Sequence, residues 1–308
     1  MENLAIVATQ VAILFALMGV GFVGRKIKMF NESLTKGLVD ILILIVTPCL
    51  IVHVFQRPYD HAKLTSLALA FAIAIAAHLL AIALAAIFIR SNNKNTLVVL
   101  KTATVFSNAG FMGIPLEQAV LGDEGVFFGV VYVVVFNLFM WSWGLWQMGG
   151  KPNYRQMLIN PGTVGLAFGL PLFFFSVKLP QVIGKPVEMM ASLNTPIAMI
   201  VIGYYLAGAK FAAILKMPAA WAAAAIRLLG YPLLIVGMFW MWGESFDRMM
   251  KLAIVTAASA PVAAMVTMFA AKYNRDVDVS VGLVSASTLM SIVTMPFVIA
   301  LAMAVLNG

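Results

Sequence analysis

Apolar residues run along this chain in ten long stretches, separated by short polar connections. The stretches are Leu4 to Val23, Leu38 to Phe55, Leu64 to Ile89, Leu97 to Val120, Val126 to Met148, Pro161 to Val177, Val187 to Ala209, Pro218 to Trp242, Met249 to Ala271 and Val279 to Leu306. A helix needs about 20 mostly apolar residues to cross a bilayer, so the pattern predicts an all-α protein with ten membrane spans. The longest connection runs from Gly149 to Asn160. That leaves no room between spans for a soluble catalytic module.

Helix breakers recur with a constant offset inside this pattern. Pro48 and Pro196 lie 148 residues apart, as do Gly113 and Pro261, and both prolines follow threonine in Thr47-Pro48 and Thr195-Pro196. Matching breaks in two halves of a membrane chain are the sequence trace of an internally repeated secondary transporter. Five spans per half is an odd number, so the second copy crosses in the opposite sense from the first. The expected domains are residues 1–150 and 151–308, related as a five-plus-five inverted repeat. The fourth stretch holds Asn108, Gly110, Gly113 and Pro115 within eight residues, and a continuous helix is not expected there. Its counterpart in the ninth stretch carries Ser259 and Pro261. Freed backbone groups in hydrocarbon need partners, so the two breaks are expected to cross where they are buried in protein or face a watery cavity.

Composition fits a membrane protein: of 308 residues, 63% are apolar and 10% charged. The net charge of +8 is not a nucleic-acid signal, because the basic residues lie between spans. With the N-terminus outside, cytoplasmic connections hold thirteen of them, from Arg25 and Lys26 through Lys210 to Arg275, and outer ones hold six, Lys251 among them. The positive-inside rule then places both termini outside the cytoplasm, in the cell membrane. The first span has basic residues after it rather than before it, the reverse of a cleavable signal peptide. The one cysteine, Cys49, cannot form an internal disulfide and reads as a packing residue.

The stretch Ser107-Asn108-Ala109-Gly110-Phe111-Met112-Gly113-Ile114-Pro115-Leu116 resembles the fourth-span signature of the auxin efflux carrier family, in its bacterial type. The basic loop after the first span and the Thr-Pro of the second are similar too. The resemblance implies ten helices, with the fourth and ninth broken and crossing. It also implies a carboxylate substrate such as malate, malonate or an auxin-like acid, an asparagine ligand at the crossover, and frequently a homodimer. A long central hydrophilic loop, found in many plant members, is not present, which excludes regulation through such a loop.

The residues themselves suggest an anion carrier. Arg227 lies about nine residues inside the eighth span, about 14 Å deep. It either pairs with a substrate carboxylate or bonds carbonyls freed at a break. Asp40 and Glu117 lie near span ends and are expected to reach water, leaving no deep acid for organic cations or proton coupling. Asn108 and Asn194 can donate hydrogen bonds to an anion or between helices. His78 is the one deep side chain able to titrate near neutrality, either as a proton relay or as a satisfied interhelical contact. Three histidines and one cysteine form no zinc pattern, and no hydrolase motif is present, so neither an enzyme nor a bound metal or cofactor is expected. A cell interior near −100 mV favours exit of a monoanion by about 2.3 kcal/mol. The expected function is therefore midplane binding and alternating access of a small organic anion, with a sodium symporter of bile-acid type as the alternative.

Overall fold

A computed structural model describes residues 2–209, 211–242 and 246–306. Among them the regular structure is helical, apart from one isolated antiparallel bridge between Ser107 and Val262. Lys210, one of the thirteen basic residues assigned to the cytoplasm, lies outside the described residues.

The helices in chain order are α1 (Glu2–Lys26), α2 (Glu32–Phe55), α3 (His61–Phe88), α4 (Lys94–Val105), α5 (Ala109–Gln147), α6 (Pro161–Phe174), α7 (Gln181–Leu206), α8 (Pro218–Met241), α9 (Arg248–Ser259), α10 (Met265–Lys272) and α11 (Val277–Val305). Among the described residues, eight helical stretches are long and apolar enough to cross a membrane: α1, α2, α3, α5, α7, α8, α11, and α6 together with the turn of helix before it. The sequence pattern counted ten stretches. Two of them are divided in the structure: Leu97 to Val120 is shared between α4 and the start of α5, and Met249 to Ala271 between α9 and α10. At Gly122 the 39 residues of α5 bend through a positive φ of 66°, which glycine adopts without steric cost, and its two limbs separate there.

Proline leaves a regular mark on these helices. A five-residue π-helical turn ends two residues before Pro48, Pro115 and Pro232, at Leu42–Val46, Ala109–Gly113 and Ile226–Gly230. A proline ring crowds the carbonyl four residues earlier and offers no N–H to it. The wider turn moves that carbonyl aside, and at Pro48 the Thr47 hydroxyl donates to the Leu42 carbonyl at 2.9 Å. Pro48 is thus absorbed as a bulge rather than a break. Pro196 follows a single turn residue, Leu193, inside α7.

Close helix approaches depend on glycine. Where α1 meets α7, a Cβ on Gly21 would collide with the Ile200 carbonyl, and one on Gly203 with the Met18 carbonyl. Where α2 meets α6, a Cβ on Gly165 would lie 3.1 Å from Pro48 Cα. Large apolar side chains such as Phe168, Phe175, Trp240 and Met241 point outward and are exposed. A surface of this kind suits lipid rather than water.

Candidate functional site at the paired helix breaks

The two interrupted segments meet. Between α4 and α5 the chain is extended at Phe106 and Ser107; between α9 and α10 it is extended at Ala260 to Val262. The Asn108 N–H donates to the Pro261 carbonyl at 2.6 Å, and the Ala263 N–H donates to the Phe106 carbonyl at 3.0 Å. The Val262 N–H donates to Ser287 Oγ on α11 at 3.1 Å. Each break therefore satisfies the other's backbone, the condition on which irregular chain is tolerated at membrane depth.

Four half-helix ends converge here, and the structure treats them unequally. Arg227, fully buried in the π-helical turn of α8, serves the two C-terminal ends. Its Nη1 donates to the carbonyls of Val105 at 2.9 Å and Thr104 at 3.3 Å on α4, and its Nη2 donates to the Ala258 carbonyl on α9. The guanidinium carbon sits 4.5 Å from the centre of the Tyr231 ring, whose hydroxyl is 3.1 Å from that of Tyr132. A cation here opposes the partial negative charge of both helix C-termini. The N-terminal ends of α5 and α10 are left to face a cavity.

That cavity, of about 140 Å³, is lined by Asn108, Gly110 and Phe111 at the start of α5 and by Ala263 to Met265 at the start of α10. Thr47 on α2, Asn137 on α5, Asn160 before α6 and Asn194 on α7 complete its polar lining, together with Ser107. The other lining groups are aliphatic or aromatic, and no lining side chain is charged. Asn137 donates to the Val133 carbonyl at 2.9 Å, and Asn160 caps α6 by accepting from the Gly162 and Thr163 N–H groups. The Ser107 hydroxyl and Asn194 Nδ2 are buried with no hydrogen-bond partner among the described residues. The cavity has room for several water-sized groups.

The candidate residues from the sequence fall into two sets. Asn108, Gly110 and Asn194 come together around the cavity. Gly113 instead packs on α9, where a Cβ would lie 3.4 Å from Ala257 Cα, and Pro115 is buried below it. Ser259 donates to the Thr256 carbonyl at 2.8 Å, within its own helix, and Pro261 contributes its carbonyl to the crossing. None of these four lines the cavity, and neither do Arg227, Pro48 or Pro196. His78 is buried with its ring stacked on Phe139 at 5.2 Å, and its Nδ1 bonds the Ala74 carbonyl at 2.8 Å.

The structure corrects the reading of the acids. Glu117 does not reach water: it is fully buried on the first limb of α5, against Gly129 on the second limb. The bend at Gly122 folds the two limbs together and closes over it. Lys251, counted among the outer-loop residues, is likewise buried, on α9. Asn160 was not singled out from the sequence, although an asparagine directly before Pro161 is a helix-cap signal.

The chain matches the family described as membrane transport protein over residues 6–157 and 146–299. It belongs to the auxin efflux carrier family. It is also similar to a protein of Methanothermobacter thermautotrophicus described as an uncharacterized transporter, with 26% identity over 205 residues. That match spans 64% of this chain and 65% of the relative. The protein is thus a multi-pass membrane protein of a transporter family.

Proposed function

We propose that this protein carries small organic anions across the cell membrane by alternating access, with the substrate held in the cavity beside the paired breaks. The observation that carries this reading is the unequal treatment of the helix ends. Arg227 occupies the C-terminal carbonyls, while the positive N-terminal ends of α5 and α10 face the cavity with unengaged donors on Ser107 and Asn194. An anion bound there gains hydrogen bonds without the desolvation cost of a second buried cation. The mostly apolar remainder of the lining suits a carboxylate with a carbon body, in the range of malate, malonate and auxin-like acids.

The helix contacts support the five-plus-five inverted repeat of ten spans, with halves at residues 1–150 and 151–308. In that reading the first and sixth spans are counterparts, as are the second and seventh. The glycine contacts of α1 with α7 and of α2 with α6 are then the same contact made twice. Ten crossings would leave both termini on one face, and the excess of basic residues, thirteen against five once the buried Lys251 is set aside, supports that face being outside. A homodimer in the bilayer completes the proposed assembly.

Purified protein is screened for thermal stabilisation by mono- and dicarboxylates, and the stabilising acids are then tested for flux in liposomes. Saturable carboxylate flux that is lost on obstructing the cavity with Gly110→Trp is the expected result. Stabilisation only by organic cations, or flux unaffected by that substitution, would overturn the assignment.

A further inference from the structure

Glu117 carries the argument beyond anion binding. Its side chain is fully buried, and neither carboxyl oxygen has a hydrogen-bond partner among the described residues. It occupies space that exists because residue 129 is glycine: a Cβ there would collide with the carboxyl group. The charged groups on the helices packed against this limb are engaged elsewhere or form no ion pair with it. Arg25 on α1 donates to the Tyr204 carbonyl, and Lys63 on α3 pairs with Glu124 at 2.6 Å. His53 on α2 lies 3.7 Å from Asp123, and His78 on α3 bonds the Ala74 carbonyl through Nδ1, while its Nε2 has no hydrogen-bond partner among the described residues and makes none with Glu117. Lys251 on α9 is buried and makes an interaction of its own.

An ionised carboxylate without partners is not sustained in such a place, since its desolvation costs far more than taking up a proton. Glu117 also lies two helical turns beyond Gly110, on the limb that starts at the cavity and ends at the Gly122 bend. Any movement of the crossing that opens the cavity to the other side carries this limb with it.

We propose that Glu117 is a proton-carrying site that couples proton movement to transport, neutral in the conformation described and ionised when the limb moves to admit water. The step is a simple transfer: the carboxylate takes a proton from hydronium on one side, forming its O–H bond, and returns that proton to water on the other. The coupling rests on the anion-carrier reading. One monoanion with one proton is electroneutral, so a pH gradient rather than the membrane potential becomes the driving force.

Liposomes with an entrapped pH dye report proton entry alongside a labelled monocarboxylate. The wild-type protein is expected to move protons with the anion and to ignore an imposed potential. Glu117→Gln, which keeps shape and needs no ionisation, is expected to lose proton movement and to make flux follow the potential. Equal proton movement and equal potential response in both proteins would overturn the proposal. If the wild type moves no carboxylate, it is the anion reading that fails, and infrared spectroscopy decides Glu117 separately. At pH 7 the wild-type-minus-Glu117→Gln difference spectrum is expected to show a protonated carboxylic acid carbonyl band. A difference containing only carboxylate bands would overturn the assignment, and Glu117→Met, which also lacks the carboxyl group, gives the same reading should the glutamine variant fail to fold.

Discussion

Replacing Arg227 with methionine separates a structural cation from a substrate ligand. The side chain holds three carbonyls on two helices, and methionine fills similar volume with no donor. Hydrogen bonds from a charged donor contribute about 1.5–3 kcal/mol each. Relief from burying a guanidinium returns several kcal/mol of that. The net loss is about 3 kcal/mol, because Thr104, Val105 and Ala258 are left as buried, unsatisfied acceptors. At about 2.1 cal/mol/K per residue, each kcal/mol shifts the midpoint of a 308-residue chain by roughly 1.5 °C, so Arg227→Met is expected to unfold about 5 °C earlier. Arg227→Lys keeps the charge but lacks the planar fork needed to reach both helix ends, and an intermediate shift is expected. The assay is thermal unfolding in detergent, paired with carboxylate affinity on the folded fraction. A midpoint unchanged within a degree or two, with affinity lost, would refute the reasoning and return Arg227 to the substrate site.

Asn108→Ala is expected to weaken carboxylate binding by about 1–2 kcal/mol, roughly five- to thirty-fold, with little loss of stability; unchanged affinity would leave Asn108 a helix-break residue only. Gly203→Val places a branched side chain against the Met18 carbonyl and is expected to cost at least about 1–3 kcal/mol, read as a lowered unfolding midpoint; an unchanged midpoint would remove the α1–α7 contact from the packing argument. His78→Gln is expected to leave proton movement in liposomes intact, since His78 lies on α3 and not on the limb that leads from the cavity to the Gly122 bend; its loss would shift the coupling role from Glu117 to His78. On a Cys49→Ser background, single cysteines at Asn93 and Asp123 are expected to react from inside and outside respectively, and labelling of both from one face would sink the ten-span reading.

The sequence alone determined where the chain can lie in a membrane and where its helices give way. In hydrocarbon every backbone group must find a partner within the protein, so long apolar stretches become helices. Proline and glycine act through the local backbone, which is why the interruptions at Asn108 to Pro115 and at Pro261 were legible, and why both appear in the structure. The tertiary structure decided which side of each helix faces inward. A helix apolar on every side has no polar face to mark its exposed surface, because lipid is as apolar as the interior. The sequence therefore showed Arg227 inside an apolar stretch but not its three carbonyl partners, and it placed Glu117 near a span end without showing that the Gly122 bend closes over it. Nor could it show that Asn108, Asn137, Asn160 and Asn194, spread over nearly ninety residues, line one cavity. Those contacts join positions far apart in the chain, and they exist only because two broken helices satisfy each other's backbone and draw the helices around them to one place.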